Sequence, residues 1–423
     1  MLQEFNRFFS YTNSRKDFSA KLQYYSILLL SFAIPFNNIA INISLGLLVL
    51  GWLIQADYLI TIKELLNSPF ILALCFLFLL YAIGLFYSTN IHEGYFSLEK
   101  KMSFIIFPFL IGANRNFFFS YKFFRKIFLS FTVGCFICSL VCLVRGVYRW
   151  IQAGSMEQMF YHELGSIFHL HAVYFSIYIS LASFFLLWSL EENIKEWSTG
   201  RKVLTGSGII FFSVMILLLS ARMVMVSYFF LLVSSVFYFF YKHKQVKIAV
   251  TGSLMVICAA VFAVYRIPFI HERFSQIAHT KFYFSPEENN SNGFTLRLVK
   301  WSCSWQGIKE NFFSGVGTGD AQDYLQQCYK ERNFWGQVFE FNSHNQFLQT
   351  GLTVGVFGIF LLFYLLFVPL ISAWKKKEFL IFVFLAIIIL SSLTESIFER
   401  QQGILFFCFF YSVLMRKKIY LLP

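Results

Sequence analysis

Ser343-His344-Asn345-Gln346 opens an apolar run and fits the S-x-x-Q pattern of a capping box, with Ser343 as N-cap and Gln346 reaching back. On that reading His344 occupies the first helical position, near the positive end of the helix macrodipole, where an imidazolium is disfavoured. A neutral imidazole at a membrane face can take a proton from a hydroxyl group. The plainer alternative is an interfacial His that only starts a helix. Arg297 is the second candidate. Thr295 to Phe313 has Leu298, Trp301, Trp305, Ile308 and Phe312 at helical spacing, so Arg297 and Trp301 are i,i+4 neighbours and the guanidinium can lie on the indole. An Arg fork matches phosphate oxygens two at a time, which suits a diphosphate. A solvated charge on an interfacial helix is the competing reading, and Lys300, one position from the Trp301 face, is a weaker candidate. Arg222 is the third, because it interrupts a long apolar run where an Arg within the bilayer core costs up to roughly 3 kcal/mol; a hairpin tip lowers that cost, and a solvated loop charge is the competing reading.

Three further sets are less specific. Ser314-Gly315-Val316-Gly317-Thr318-Gly319 must turn sharply. Gly315 suits the residue after a helix C-terminus, and Gly317 and Gly319 can expose N–H groups to an anion, although such a run is more often only a turn. His162, Glu163, His169 and His171 precede another apolar run. His169 and His171 are two apart and point to different helix faces, which argues against a shared metal; His171 can face a site, but a plain interfacial His is the favoured reading. Glu395, Glu399 and Arg400 form a short polar loop that either positions a ligand or pairs internally.

What must position these groups is a membrane bundle. Of the 423 residues, 57% are hydrophobic, 21% aromatic and only 13% charged, against about 25% charged in a soluble domain. The apolar residues come in runs near 20, the length that crosses a bilayer core. In such a chain a net charge of +13 reflects basic cytoplasmic turns rather than a nucleic-acid partner. Of the eight Cys, Cys135 and Cys138 have CxxC spacing but lie inside an apolar run, which argues against a zinc or redox site. Cys303 and Cys328 both lie in the one long polar interval and can pair if that interval faces an oxidising compartment. No small-residue cleavage motif follows the first apolar run, so that run is expected to stay as an anchor.

The expected architecture is all-α and polytopic, with about twelve transmembrane helices at 22–37, 39–56, 69–87, 102–114, 124–147, 166–189, on either side of Arg222, 248–265, 346–371, 379–394 and 402–415. Leu204 to Tyr241 is nearly unbroken apolar sequence. As one helix it would measure about 57 Å, too long for a core of about 30 Å, so it must turn, with Arg222 at the tip. The charges orient the bundle. Arg7, Arg15, Lys16 and Lys21, then Lys63, then Arg115, Lys122, Arg125 and Lys126, then Lys195, Arg201 and Lys202, then Lys242, Lys244 and Lys247, then Lys375 to Lys377, then Arg416 to Lys418 fall on one side. The short loops opposite hold only Lys100, Lys101, Arg145, Arg149, Arg222 and Arg400. Basic residues stay cytoplasmic, so both termini are expected inside and the long loop outside. Three regions result: a membrane region 1–265, a large periplasmic loop 266–343 containing amphipathic helices, and a membrane region 344–423.

No GxxxxGK[ST] run and no HExxH or Cys/His cluster is present. Chemistry on the outer face without ATP needs an activated substrate, and a lipid-linked pyrophosphate, held by fixed positive charge, is one.

The sequence resembles the O-antigen ligase/polymerase superfamily of bacterial inner-membrane glycan transferases. Arg297…Trp301…Asn311…Gly315-Val316-Gly317 is similar to the family's R…W…GxG run, and His344-Asn345…Leu348…Gly351…Gly355…Gly358 to its HNxxL and following glycine-bearing span. Ser220-Ala221-Arg222 is similar to a second family arginine. His171 is similar to the family's His-led sixth span, with Ala172 where a proline is often found, and Phe313-Ser314 stands where many members have a proline before the GxG turn. The resemblance implies metal-independent, inverting transfer of a glycan from an undecaprenyl-diphosphate donor, with no cofactor. Arg222 and Arg297 would hold the diphosphate, helped by Trp301, Gly315, Gly317, Asn345 and His171, and His344 would be the general base. Ligation of O-antigen to lipid A-core is the first reading. A polysaccharide polymerase and a protein O-oligosaccharyltransferase differ from it only in acceptor, and a transporter of lipid-linked glycan is the reading from a different class.

Overall fold

The computed structural model describes residues 14–36, 38–114, 120–278, 293–334 and 339–416. Several expected features lie outside these: Asn37 of the first tight turn, and the basic residues Arg7, Arg115, Lys417 and Lys418.

The helices run in order as α1 (Ser14–Ala33), α2 (Asn38–Gln55), α3 (Tyr58–Leu66), α4 (Pro69–Phe86), α5 (Ile91–Lys101), α6 (Tyr121–Ala153), α7 (Ala172–Glu192), α8 (Thr199–Leu219), α9 (Arg222–Lys242), α10 (Val246–Arg266), α11 (Pro268–Ala278), α12 (Gly293–Glu310), α13 (Ala321–Glu331), α14 (Gln346–Lys376), α15 (Phe379–Ser392) and α16 (Gln401–Leu414). Among the described residues there is no strand. The protein is an all-α, multi-pass membrane protein.

Among the described residues, seven helices are long and apolar enough to cross a membrane: α4, α6, α7, α8, α9, α10 and α14. An eighth is possible only if Ile39–Gln55 and α3, bent by 106° at their junction, are counted as one span. The expected twelve crossings therefore do not follow from helix length. The expected fourth span, 102–114, is a five-residue helix running through Pro108 into a π turn. The last two apolar runs form helices of 14 residues each, about 21 Å long at 1.5 Å per residue. The expected sixth span starts at 166, yet Ser166–Phe168 is a 3-10 turn, His169 has φ 53° and the helix begins at Ala172.

Length is not burial, however. α16 is buried from Gly403 to Leu414 and forms the centre of the bundle. Its rings lock against α6 and α7, with Phe131 to Phe410 at 4.7 Å and Tyr178 to Phe406 at 4.7 Å between centroids. Offset or tilted ring pairs of this kind add about 0.5–1.5 kcal/mol each beyond area burial. α10, by contrast, is exposed along most of its length, as a lipid-facing helix is.

The long apolar run turns where expected. α8 ends at Ser220 in the left-handed region (φ 47°), and Arg222 begins α9. The Tyr228 hydroxyl is hydrogen-bonded to Ser213 (2.7 Å) and Ser183 (2.8 Å), tying α7, α8 and α9 together by buried polar contacts.

The long polar interval has its own small core. Val299, Cys303, Ile308, Leu325, Cys328 and Tyr329 are buried between α12 and α13 and rest on Leu352 of α14. A Cys303–Cys328 disulfide staples the two helices.

The Gly315–Gly317 turn docks against a break inside α14. Val354 (φ −129°) and Gly355 (φ 70°, ψ −164°) leave helical geometry there, freeing carbonyls. Val316 N donates to Leu352 O (2.8 Å), Gly317 N to Thr353 O (3.1 Å), and Val356 N to Phe312 O (2.9 Å). Gly355 has to be glycine twice over: its φ is positive, and a Cβ there would collide with the Phe313 carbonyl.

Candidate functional site

His344 is held by a turn whose polar groups are almost all engaged. Asn345, not Ser343, is the N-cap of α14: it has φ −157°, and its Oδ1 accepts from Leu348 N at 3.1 Å. This corrects the capping expectation. His344 lies before the helix, in the left-handed region at φ 47°. Gln346 does not reach back; its Oε1 accepts from Phe398 N at 2.7 Å. His344 N donates to Asn342 Oδ1 (3.0 Å), and Trp301 Nε1 donates to His344 O (3.4 Å). Ser343 Oγ donates to Gln349 Oε1 (2.7 Å) and accepts from Ser304 Oγ (2.7 Å). Asn345 Nδ2 donates to Leu393 O (3.0 Å) and Asn345 N to Ser396 Oγ (3.2 Å), which brings the 393–396 segment alongside.

That segment carries Glu395, whose Oε2 lies 3.4 Å from His344 Nδ1. A carboxylate here only accepts, so the imidazole proton belongs on Nδ1 and the lone pair on Nε2. Burial lowers the His344 pKa, and the neighbouring Lys300 and Arg297 add to this; Glu395 opposes, but the net direction is down. His344 is therefore neutral near pH 7, because it is buried rather than because it starts a helix. Burial alone would raise Glu395, but His344, His171 and Arg297 outweigh it and hold the carboxyl at about 2.

These two residues open onto a cavity of about 260 Å³. Arg222 enters from the start of α9, Arg273 from α11, and Arg297 and Lys300 from α12. Arg273 lies 3.7 Å from the centre of the Tyr161 ring, and Lys300 Nζ 3.6 Å from that of Phe341. Burial, and then the charge of Arg297, lowers the Lys300 amine to about 7. His171 also lines the cavity; its Nδ1 accepts from Val173 N at 3.4 Å, making it the N-cap of α7. Burial and the adjacent His162 push His171 down to about 3, so it too is neutral. Three arginines, with Lys300 partly charged near pH 7, against one carboxylate leave a cavity suited to a ligand with more than one negative charge.

The structure thus brings His344, Arg222, Arg297 and His171 to one cavity. Trp301 and Asn345 brace the His344 turn and are not among the lining residues. Gly315 and Gly317 lie elsewhere, and the expectation that this turn offers amides to an anion is corrected. Gly315 N donates to Asn311 O, Gly317 N to Thr353 O and Gly319 N to Ser88 Oγ. Glu399 and Arg400 do not close on Glu395; Glu399 Oε2 accepts from Lys101 Nζ at 3.0 Å. Arg273 was missed by sequence reasoning, although it sits beside Phe269, Ile270 and Phe274 in a short amphipathic pattern. Glu395 was seen only as one member of a polar loop.

A bundle of membrane-crossing helices with a cationic cavity and a carboxylate-oriented neutral imidazole defines a class: multi-pass membrane proteins whose cavity can accept a polyanion beside a group able to take a proton. Residues 207–363 match the family model described as O-antigen ligase, a stretch that includes Arg222, Arg273, Arg297, Lys300 and His344. This match supports the O-antigen ligase superfamily and, with it, a membrane glycan-transfer function. His171 and Glu395 lie outside the matched stretch. No curated protein matches the chain.

Proposed function

We propose that the protein transfers a glycan from an undecaprenyl-diphosphate donor to an acceptor hydroxyl on the periplasmic face of the bacterial inner membrane, with lipid A-core as the acceptor. The observation that carries this reading is the single cavity in which Arg222, Arg273 and Arg297 face His344 and Glu395. The acceptor hydroxyl attacks the anomeric carbon while His344 Nε2 takes its proton. The bond from that carbon to the diphosphate oxygen breaks, and the charge gathering on the leaving diphosphate is met by the arginines. Glu395 stabilises the imidazolium that forms. A single displacement of this kind inverts the anomeric centre. The arginines supply the positive charge the departing diphosphate needs, so this reading includes no metal.

A lipid-linked donor also fits the apolar surroundings. A groove of about 380 Å³ runs between α8, α9 and α10, lined by residues such as Leu217, Met225, Phe230, Val261 and Phe274. It begins next to the cationic cavity, since Val224 and Arg273 line the cavity and their neighbours Met225 and Phe274 line the groove. An isoprenoid chain in the groove would leave its diphosphate at the arginines. The Cys303–Cys328 bridge supports a periplasmic placement of the loop, because disulfides persist in oxidising compartments. In this placement both termini are cytoplasmic, and the short or broken helices cross together with their neighbours to make about twelve passes.

The test is the surface-glycan profile of a strain lacking this protein, beside the same strain carrying His344→Ala. Bare lipid A-core with long lipid-linked chains accumulating in both strains supports ligation. Core carrying a single repeat moves the reading to a polymerase. Unchanged glycans in both strains remove the reading.

A further inference from the structure

A second cavity, also of about 260 Å³, shares a wall with the first. The partition is the Phe341–His344 turn: Phe341 and His344 line the cationic cavity and Asn342 lines the second. The other walls come from α5 (Ser97, Lys100), the start of α13 (Gln322), α14 (Gln349) and the exposed turn at Glu340.

Its chemistry is unlike that of the first. Glu93, Glu340 and Glu399 accompany one amine, Lys100, so no excess positive charge favours a diphosphate. Its amides and one carboxylate are also half engaged. Gln349 Oε1 accepts from Ser343 N (3.0 Å) and Oγ (2.7 Å), which leaves its amide N–H groups without a partner among the described residues. Asn342 Oδ1 is taken by His344 N at 3.0 Å, leaving its amide N–H groups in the same way. Glu399 Oε2 is taken by Lys101, while Oε1 is buried with no hydrogen-bond partner among the described residues. Amide donors and carboxylate acceptors with no excess of positive charge suit a neutral ligand rich in hydroxyls, each of which both donates and accepts.

The geometry points to this second cavity as the subsite for the acceptor glycan, binding pyranose rings through their hydroxyls on the side of the His344 turn opposite the diphosphate. This rests on the proposed transfer reaction: the hydroxyl that reacts must reach His344 in the cationic cavity, so the second cavity holds the acceptor rings beyond the reacting one. It assigns roles that the cationic cavity does not need: Gln322 and Glu340 contact the acceptor, while Asn342 and Gln349 link bound acceptor to the position of His344.

The experiment is saturation-transfer NMR on the full chain in detergent micelles, with methyl glucopyranoside, methyl galactopyranoside and methyl N-acetylglucosaminide as probes. Wild type, the double variant Gln322→Ala/Glu340→Gln, and Arg297→Ala are compared. Gln322 is partly exposed and Glu340 exposed, so both substitutions are compatible with folding, and an unchanged melting temperature verifies this. Wild type should bind at least one probe. The double variant should weaken that binding about tenfold, the loss expected for two hydrogen bonds, and Arg297→Ala should leave it unchanged. Equal binding by wild type and the double variant overturns the assignment, as does the absence of saturation transfer to every probe in wild type. Binding that is lost in the double variant, in a protein that never shows transfer from a lipid diphosphate, would leave this subsite standing and remove the donor chemistry alone.

Discussion

The His344 turn and the Gly315–Gly317 turn lie on either side of α13, and both pack against α14, yet they are built to opposite ends. At Gly315–Gly317 the backbone amides are consumed by the fold: they complete the hydrogen bonding of α14 where Val354 and Gly355 leave the helix. At His344 the backbone is also fully tied, through Asn342 and Trp301, but the imidazole is directed into a cationic cavity and fixed there by Glu395. One turn holds a broken helix in place. The other uses the rigidity of its backbone to aim a side chain. A motif's chemistry is therefore decided by what its N–H groups already bond, and glycine-rich spacing alone does not decide it.

That contrast can be broken at either turn. The largest expected effect is at the structural one. Gly355→Val places a β-branched residue at positive φ against the Phe313 carbonyl, with strain of several kcal/mol, so folded protein should fall to a small fraction of wild type. Size-exclusion chromatography of the detergent-solubilised protein measures it, and a normal yield would mean that the two segments are not locked together.

Next is Glu395→Gln, which should lower the transfer rate about 10- to 100-fold with folding intact, since the imidazole loses the carboxylate that orients it and stabilises its charged form. The pH dependence gives the sign. Transfer requires neutral His344, so activity is lost as pH falls through its pKa. Glu395 raises that pKa against burial, so its removal should shift the acid limb of the pH–rate profile to lower pH. A shift to higher pH would contradict the pairing.

Arg297→Lys should raise the donor KM about tenfold, the loss of one arm of a bidentate contact, with little change in acceptor KM. An equal change in both would place Arg297 outside the diphosphate contact. The smallest effect belongs to Trp301→Phe. It removes one hydrogen bond, to the His344 carbonyl, and should cost about 1 kcal/mol, a several-fold loss of rate.

Some of this was legible in the sequence and some was not, for identifiable reasons. The break at Ser220–Arg222 was legible because bilayer thickness forbids a single helix across the run. Arg222, Arg297 and His344 were legible because charged or titratable groups beside apolar runs are few. The Glu395 partnership was not, because it joins residues 51 apart that meet only when Asn345 bonds to Leu393 and Ser396. Arg273 was hidden for the same reason: nothing local shows that α11 folds back over Tyr161. Helix length does not carry the span count, because hydropathy reports composition and not helix continuity. Pro108, the junction at Gln55–Tyr58 and the break at Gly355 interrupt helices without lowering local hydropathy. The cap of α14 was misplaced by two residues because Ser343 and Asn345 are both good N-caps, and only the tertiary contacts of Ser343 with Gln349 and Ser304 choose between them.

The central claim is that His344 takes the proton of the acceptor hydroxyl. It is tested most directly with purified His344→Ala in lipid nanodiscs, measuring glycan transfer and, separately, binding of the lipid diphosphate. The account predicts transfer reduced about 10²- to 10⁴-fold, as for loss of a general base, with diphosphate binding and folding unchanged. Transfer at wild-type rate in that variant would contradict it.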